Sequence, residues 1–373
     1  MHTSLRSKRW LRNTTLRRCE ALSSYYRSRQ VEVFLPGMLW LCGSFERFLT
    51  ARSFSRLALG MLLLVTFASV CLWLKSAPID VNEGELPDTL DLVTRSVAEA
   101  PKSLPHDNSM AATAPLFTDP SFTAKVRLLA KSLLLRKIVL TTTNSGFLDF
   151  TENMLMSIQQ VGIHPEVVVI AEDAMAYEVL LNHSYGLHVM KPPNAVDTPK
   201  EALNYGTANY TKLVNRRPSY VLEFIQQGFE VFFCDSDTFW FNDPFPYFSG
   251  DQYDVAFMRD YRRVFNAGVG FYRPTNRTEY FLRLWVWVLE TQPKVRYDQD
   301  VLNYITSSKI SPDLKVRSLS FHSFPTCKTF CDWDNRVCKK VTRKTAVFHA
   351  AFIPDHANKK YVFENCKLWL VNK

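Results

Sequence analysis

Residues 228–245 read GFEVFFCDSDTFWFNDPF, and they guide the interpretation of the rest of the chain. After Gly228, which ends a helical pattern, residues 229–234 form a short apolar and aromatic run that is typical of a buried strand. Two acids, Asp235 and Asp237, follow where the strand ends and the chain turns. Because ligands of parallel sheets gather at the carboxyl ends of the strands, this segment predicts a binding site.

Strands and helices alternate around this segment. Residues 137–143 and 166–171 are β-branched runs that predict strands, with an amphipathic helix at about 150–161 between them and another helix at 218–227. Such alternation predicts an α/β domain with a largely parallel sheet. We expect this domain to cover residues 131–373.

The positive charge of the chain is concentrated at its start. Residues 1–56 contain 11 Lys and Arg against three acids, whereas the remaining chain has 34 basic and 33 acidic residues. A nucleic-acid-binding domain would carry its excess of positive charge on the folded part. We therefore expect no nucleic-acid partner.

An uncharged segment of 18 residues follows, LALGMLLLVTFASVCLWL at 57–74. As a helix it would be about 27 Å long, enough to span a thin bilayer. Bases precede it and only Lys75 follows closely, so the positive-inside rule orients residues 1–56 to the cytosol. We predict a single-pass type II membrane protein with this signal-anchor helix and a luminal domain. Residues 75–130, rich in Pro, Ser, Thr and acids, predict a flexible luminal stem.

Sequons agree with a luminal location. Three of them follow the stem, and their candidate glycosylation sites are Asn182, Asn209 and Asn276.

Cysteine usage also agrees with a lumen. Four late cysteines suggest two disulfide bonds, with three pairings left open: Cys327, Cys331, Cys338 and Cys366. A structural zinc site is the weaker alternative, because the spacing does not give two CxxC knuckles. Cys234 lies in the apolar strand and is expected to be a buried free thiol.

The acid pair has two chemical interpretations. Carboxylates at i and i+2, such as Asp235 and Asp237, can converge on one hard divalent cation, Mn²⁺ or Mg²⁺. Together with Thr238, the same residues also resemble the DxDxT motif of haloacid-dehalogenase-like phosphatases. That family carries the motif on the first strand of its domain, whereas at least two strands come first here. The phosphatase is therefore the weaker hypothesis.

Four motifs in order resemble the nucleotide-diphospho-sugar transferase family that includes plant pectin xylosyltransferases (glycosyltransferase family 77). They are RPSYVLEFIQQGFEVFFCDSDTFWFNDPF at 217–245, NAGVGFYRPT at 266–275, YDQDVLN at 297–303, and VFHA at 347–350 with the following basic pair 359–360. The resemblance covers roughly residues 135–373. It implies a GT-A type fold, in which a Rossmann-like mixed sheet is flanked by helices. It also implies a UDP-sugar donor, a divalent metal and retention of anomeric configuration.

The resemblance also implies roles at the metal and nucleotide. Asp237 would be a direct metal ligand, Asp235 would bridge metal and ribose, and His349 would supply a nitrogen ligand unless it is a core histidine of its apolar strand. The donor-binding residues would be Thr141, Thr142 and Thr143 in the uridine pocket and Arg217, Lys359 and Lys360 at the diphosphate. The three basic residues are otherwise solvated surface charges.

At the sugar end, the candidate catalytic residues are Asp298 and Gln299, which could fix sugar hydroxyls and stabilise oxocarbenium-like charge. Asn266 and Gly268 would shape the donor-sugar pocket, Gly268 because a side chain there would block close approach. A front-side substitution guided by the leaving phosphate is expected rather than attack by either side chain.

The acceptor regions depart from the plant pattern. The hypothesis for the reaction is α-1,3-xylosylation of a fucose in a glycan or glycoprotein. The aromatic candidates for stacking on the acceptor, most of them expected in the core, are Trp240, Trp285, Trp287 and Trp333. The alternative from another class is a non-catalytic luminal sugar-binding protein of the same fold. The sequence gives no indication of oligomeric state.

Overall fold

The buried run that precedes Asp235 is the fourth strand of a central sheet. The computed structural model describes residues 120–373 apart from 193–198, 251, 262–263, 292–296, 309, 312, 333–336, 340 and 372–373. The predicted cytosolic segment, the signal-anchor helix and most of the predicted stem lie outside these residues. Among the helices that are described, none has the length and apolar character to cross a membrane.

The strands are β1 Lys137–Thr143, β2 Glu166–Ala171, β3 His188–Met190, β4 Glu230–Cys234, β5 Thr238–Trp240, β6 Val255–Tyr261, β7 Val264–Tyr272, β8 Val316–Ser318, β9 Cys331–Asp332, β10 Val337–Cys338 and β11 Val347–His349. In the described part of the chain, seven of them form one sheet in the order β3-β2-β1-β4-β7-β6-β8. Strand β5 pairs with β11, and β9 pairs with β10.

The sheet is mixed but mostly parallel. Strands β3, β2, β1 and β4 run parallel, as do β6 and β8, whereas β7 is antiparallel to both of its neighbours. Only two positions, 262–263, separate β6 from β7, and such a connection is too short for a parallel crossover. The predicted α/β class with a parallel-rich sheet is confirmed.

The helices are α1 Pro120–Ser132, α2 Leu148–Val161, α3 Ala174–Leu181, α4 Ala208–Val214, α5 Arg217–Gln226, α6 Asn276–Thr291, α7 Asp298–Ser307, α8 Cys327–Phe330 and α9 His356–Asn365. They cover both faces of the sheet. Helices α1, α5, α6 and α7 share one apolar cluster, α2 and α3 share a second, and α8 and α9 contribute to a third. Successive strand residues alternate between the clusters, as Val231 and Phe233 face the first and Phe232 faces the second.

The domain begins earlier than predicted, because helix α1 is part of its core. The helix residues Phe122, Val126 and Leu129 are buried in the cluster that contains α5 and α6. The predicted boundary at residue 131 is therefore too late, because it falls at the end of this helix. The Ser, Ala and Lys residues of this helix gave it the composition of a stem. Its apolar residues at i, i+4 and i+7 are nevertheless the spacing of an amphipathic helix.

The late cysteines join the C-terminal elements. Cys327 is bonded to Cys331, and Cys338 is bonded to Cys366, so the second bond ties β10 to the end of α9. These sulfur atoms are therefore not available as zinc ligands. Cys234 is a buried free thiol, as expected, and burial raises its pKa to about 12.

A buried ion pair joins β2 to α5. Glu172 follows β2 and accepts hydrogen bonds from Tyr220 (2.9 Å) and Arg216 (3.2 Å). Burial raises the pKa of Glu172 to about 7, although the charge of Arg216 opposes the rise. The folded protein therefore holds this proton more tightly than the unfolded chain does.

The free energy of unfolding should consequently fall as pH rises from 4.5 to 7, the interval between the ordinary and the raised pKa. The contribution of Glu172 to this fall is at most about 3 kcal/mol. Glu172→Gln should remove this part of the pH dependence in denaturant titrations, while Glu178→Gln on the exposed face of α3 should retain it. Equal pH dependence in wild type and Glu172→Gln would contradict the assignment.

Candidate functional site

Two aspartates and one histidine converge at the end of β4. Asp235 and Asp237 lie in the turn between β4 and β5, and β11 pairs with β5 so that His349 lies opposite Thr238. The Nε2 atom of His349 is 3.3 Å from Asp237 Oδ1 and 3.5 Å from Asp235 Oδ2. Three candidate ligand atoms, one from each residue, lie within 4.8 Å of one another.

Asn266 orients the ring of His349 through Nδ1, the ring nitrogen that does not face the acid pair. His349 Nδ1 is 3.1 Å from Asn266 Oδ1, which also accepts a hydrogen bond from the backbone N–H of Gly268. Burial alone would lower the pKa of His349, but the charges of Asp237 and Asp235 outweigh it and raise the value to about 9. This buried histidine is therefore coupled to the acid pair and is not an ordinary core residue.

The cluster fits a divalent cation. The two carboxylates are donors that Mn²⁺ or Mg²⁺ prefers, and the imidazole of His349 offers a third ligand atom. Asp235 Oδ1 is buried and has no hydrogen bond, although Arg217 lies 3.2 Å away. A Cβ atom on Gly268 would lie 2.4 Å from Asp235 Oδ2 and 2.6 Å from His349 Cε1. The absence of a side chain at position 268 thus leaves room for the converging ligands, rather than for the donor sugar alone.

Arg217 links this cluster to a third carboxylate. It is the first residue of α5, and its guanidinium lies 3.2 Å from Asp235 Oδ1 and 3.9 Å from Asp298 Oδ2. Asp298 is in turn the first residue of α7. The first side chains of two helices therefore meet beside the acid cluster.

The two predicted catalytic residues, Asp298 and Gln299, differ in their hydrogen bonding. Burial raises the pKa of Asp298 to about 7 against the charge of Arg217, and its buried Oδ2 has no hydrogen bond. The amide of Gln299 is engaged by the protein: its oxygen accepts from the N–H of Ala267 (3.1 Å), and its nitrogen donates to Asp260 (2.9 Å). Asp298 is therefore the member of the pair whose carboxylate keeps an oxygen without a hydrogen bond.

The two lysines of α9 have different partners. Lys359 Nζ is 2.5 Å from Asp237 Oδ2, so it belongs to the acid cluster. Together with His349, Lys359 holds the pKa of Asp237 well below its usual range although burial opposes this. Lys360 lies 3.8 Å from Asp149 and over the ring of Trp369. Adjacent residues on a helix point in different directions, and only Lys359 is in contact with the acid pair.

The three predicted donor-binding threonines form the end of β1, the strand next to β4. Thr141, Thr142 and Thr143 are buried at the end of β1, which pairs with β4 through Leu140 and Phe233. The Thr143 hydroxyl accepts a hydrogen bond from Thr151, whereas the buried Thr141 hydroxyl has no partner. These residues thus lie along the edge that carries Asp235, with side chains directed into the protein.

The sequon residues Asn182, Asn209 and Asn276 are exposed. Their glycosylation stays a prediction.

The sequence interpretation missed Asp260 and Tyr210. Asp260 is buried in β6, where an acid inside the apolar run VAFMRDY was the available signal. Burial raises the pKa of Tyr210, as do Asp235 and Asp298, while Arg217 lowers it. The phenol therefore lies within the electrostatic field of the site, and no sequence pattern indicated this position.

Comparison with known proteins identifies the family of the chain. Residues 162–363 match the family model described as nucleotide-diphospho-sugar transferase, and the chain belongs to that family. The prediction from the four motifs is thus confirmed.

Two relatives and one solved structure illustrate the similarity. The UDP-D-xylose:L-fucose alpha-1,3-D-xylosyltransferase MGP4 of Arabidopsis thaliana is 28% identical over 293 residues, which cover 72% of this chain and 79% of the relative. The UDP-galactose:fucoside alpha-3-galactosyltransferase of Dictyostelium discoideum is 22% identical, covering 63% and 43%. The crystal structure of galactosyltransferase LgtC with donor and acceptor sugar analogs aligns at 14% identity and a TM-score of 0.40, covering 62% and 94%.

Substitution of Gly268 tests the metal cluster. Gly268→Ala should lower Mn²⁺ affinity by at least about tenfold, because the new Cβ would displace Asp235 and His349. Electron paramagnetic resonance of free Mn²⁺ measures this affinity. Gly270→Ala is the matched control on β7, since its Cβ would meet Phe257 in the core and should lower stability without weakening the metal. Wild-type Mn²⁺ affinity in Gly268→Ala would argue against the cluster as a metal site.

Proposed function

We propose that the protein is a metal-dependent, retaining glycosyltransferase with a GT-A fold, anchored as a type II protein with its domain in the Golgi lumen. It transfers xylose from UDP-xylose to a fucose in α-1,3 linkage. The cluster of Asp235, Asp237 and His349, facing Arg217 and Asp298 in a member of this family, is the observation that carries the proposal. The names of the Arabidopsis thaliana relatives support UDP-xylose and fucose, and the Dictyostelium discoideum relative supports a fucoside acceptor.

On this proposal, Asp235, Asp237 and His349 hold Mn²⁺ or Mg²⁺. The cation, when bound, neutralises the diphosphate and so favours departure of UDP. Lys359 contacts Asp237 and is therefore placed to form a charge-assisted hydrogen bond with the same diphosphate. Arg217 supplies a second fixed positive charge between the nucleotide side and the sugar side.

Asp298 serves the sugar end. Its Oδ2 lies in a buried site without a hydrogen bond, so it can accept one from a donor-sugar hydroxyl. In a front-side substitution, the bond between the anomeric carbon and the UDP oxygen breaks while the acceptor oxygen bonds to the same face. The acceptor proton passes to the departing phosphate oxygen. Asp298 then stabilises the positive charge that develops on the sugar.

The acceptor is proposed to bind against tyrosines. Of the tryptophan candidates, Trp240 and Trp285 are buried in the core, Trp287 is partly buried against it, and Trp333 lies outside the described residues. Tyr297 directly precedes Asp298 in the chain. The ring of Tyr205 stacks on the ring of Tyr297, with centroids 5.2 Å apart and planes at 15°. Tyr205 is 60% exposed, so this aromatic surface is accessible beside the site. Such a surface suits the apolar face of a deoxysugar.

The reaction is tested by UDP release from a panel of UDP-sugars, with a fucoside acceptor and with or without Mn²⁺. UDP release from UDP-xylose should require the metal, and the fucoside should raise it well above the slow hydrolysis of the donor alone. Asp237→Ala should lower kcat by about 10²-fold or more, because a metal ligand is lost. Turnover by Asp237→Ala at the wild-type rate would refute the metal assignment. Donor binding without turnover would favour the sugar-binding alternative.

The acceptor surface is tested by Tyr205→Ala, which should raise the KM for the fucoside about tenfold, a loss of about 1.4 kcal/mol. Hydrolysis of the donor in the absence of acceptor should stay unchanged, since Tyr205 is assigned only to the acceptor. Tyr205→Phe is the matched control and should keep the wild-type KM because it retains the ring. An unchanged KM in Tyr205→Ala would place the acceptor elsewhere.

A further inference from the structure

A buried carboxylate, Asp260, lies behind the site. None of its hydrogen bonds within the described part of the chain is to the proposed metal ligands or to Asp298 Oδ2. Asp260 on β6 accepts hydrogen bonds from two side-chain amides, from Asn266 at Oδ1 (2.6 Å) and from Gln299 at Oδ2 (2.9 Å). The pairing of β6 with β7 shifts between Phe257 and Tyr261. Irregular pairing of this kind redirects side chains next to functional sites.

The amide of Asn266 has its orientation determined at both ends. An ionised carboxylate can only accept hydrogen bonds, so the amide nitrogen must face Asp260. A backbone N–H can only donate, so the amide oxygen must face the N–H of Gly268, which lies 2.8 Å away. Both constraints select the same orientation, and together they exclude the flipped amide.

This orientation determines the tautomer of His349. Asn266 Oδ1 faces His349 Nδ1 at 3.1 Å, and an oxygen at that position requires the proton to be on Nδ1. In the neutral ring, the lone pair is then on Nε2, the atom that faces Asp235 and Asp237. A metal ligand must offer a lone pair, so this is the tautomer that can bind a cation.

Asp260 also holds the sugar side of the site. It fixes the nitrogen of Gln299, whose oxygen then accepts from the N–H of Ala267 on β7. Gln299 follows Asp298 in α7, so the beginning of that helix is tied to the strand that carries Asn266. One carboxylate thus connects the two halves of the site.

We propose that Asp260 is a positioning residue that sets the tautomer of His349 through Asn266. The inference rests on the proposed metal site, and it goes further by assigning metal affinity to a residue that touches no ligand. Substitutions behind a metal-binding histidine typically lower metal affinity 10–100-fold.

Asp260→Asn is the decisive variant because it keeps the shape of the side chain but can face Asn266 with either an oxygen or an amide nitrogen. Titration of the full chain with Mn²⁺ alone, followed by electron paramagnetic resonance, should show affinity lowered by about tenfold or more. The hyperfine coupling between Mn²⁺ and ¹⁵N-labelled histidine should weaken as well. Asn266→Ala, which removes the relay and keeps Asp260, should give a similar loss of affinity.

A double-mutant cycle separates positioning from general destabilisation. If Asp260 acts through His349, Asp260→Asn should have little further effect on Mn²⁺ affinity in the His349→Ala background. The matched control is Asp254→Asn, which removes another buried carboxylate, one that is bonded to Arg277 and Thr275 away from the cluster. It should lower the free energy of unfolding and leave Mn²⁺ affinity unchanged.

The outcomes distinguish this inference from the proposed function. Wild-type Mn²⁺ affinity in Asp260→Asn, together with a loss in His349→Ala, would overturn the positioning role and leave the metal site intact. Additive losses in the cycle would also overturn it. Unchanged affinity in His349→Ala, or no Mn²⁺ binding by the wild type, would overturn both.

Discussion

Compensation of buried carboxylate charge is the constraint on which the site depends. Asp237 and Asp298 are almost fully buried and Asp235 is largely so, and an uncompensated buried ion costs several kcal/mol. Each faces a positive or protonatable group from a distant part of the chain: Arg217 from α5, His349 from β11 and Lys359 from α9. The end of β4, the beginning of α5 and the C-terminal elements must therefore come together for the acids to be tolerated.

The same compensation connects the fold to the proposed chemistry. A divalent cation held by Asp235, Asp237 and His349 would take over the charge balance that the basic groups maintain in the free protein. Lys359 and Arg217 would then be available to a diphosphate. On the proposed function, donor binding exchanges one set of charge pairs for another within a site that stays nearly neutral.

Local pattern predicted three of the seven strands of the sheet, β1, β2 and β4, and the order of the motifs predicted the cluster. Other contacts between distant residues were not predicted. Strands β1 and β2 have the predicted bounds, because β-branched runs between turns are a local signal. The acid pair and His349 were predicted to meet because family motifs carry long-range information. The role of Asp260 depends on irregular pairing between β6 and β7, and the stacking of Tyr205 on Tyr297 joins residues far apart in sequence. Disulfide pairing likewise required three-dimensional distances.

Unused hydrogen-bonding capacity distinguishes the residues that can bind a ligand from the residues that position them. Gln299 and Asn266 were both expected at the donor sugar, yet the oxygen of each amide accepts from a backbone N–H and the nitrogen donates to Asp260. In contrast, Asp235 Oδ1, Asp298 Oδ2 and Arg217 Nε are buried atoms without a hydrogen bond. Leaving such atoms unsatisfied costs about 1–3 kcal/mol each, and more for charged groups. On the proposed function, a polar ligand that forms hydrogen bonds with these atoms would recover part of that free energy.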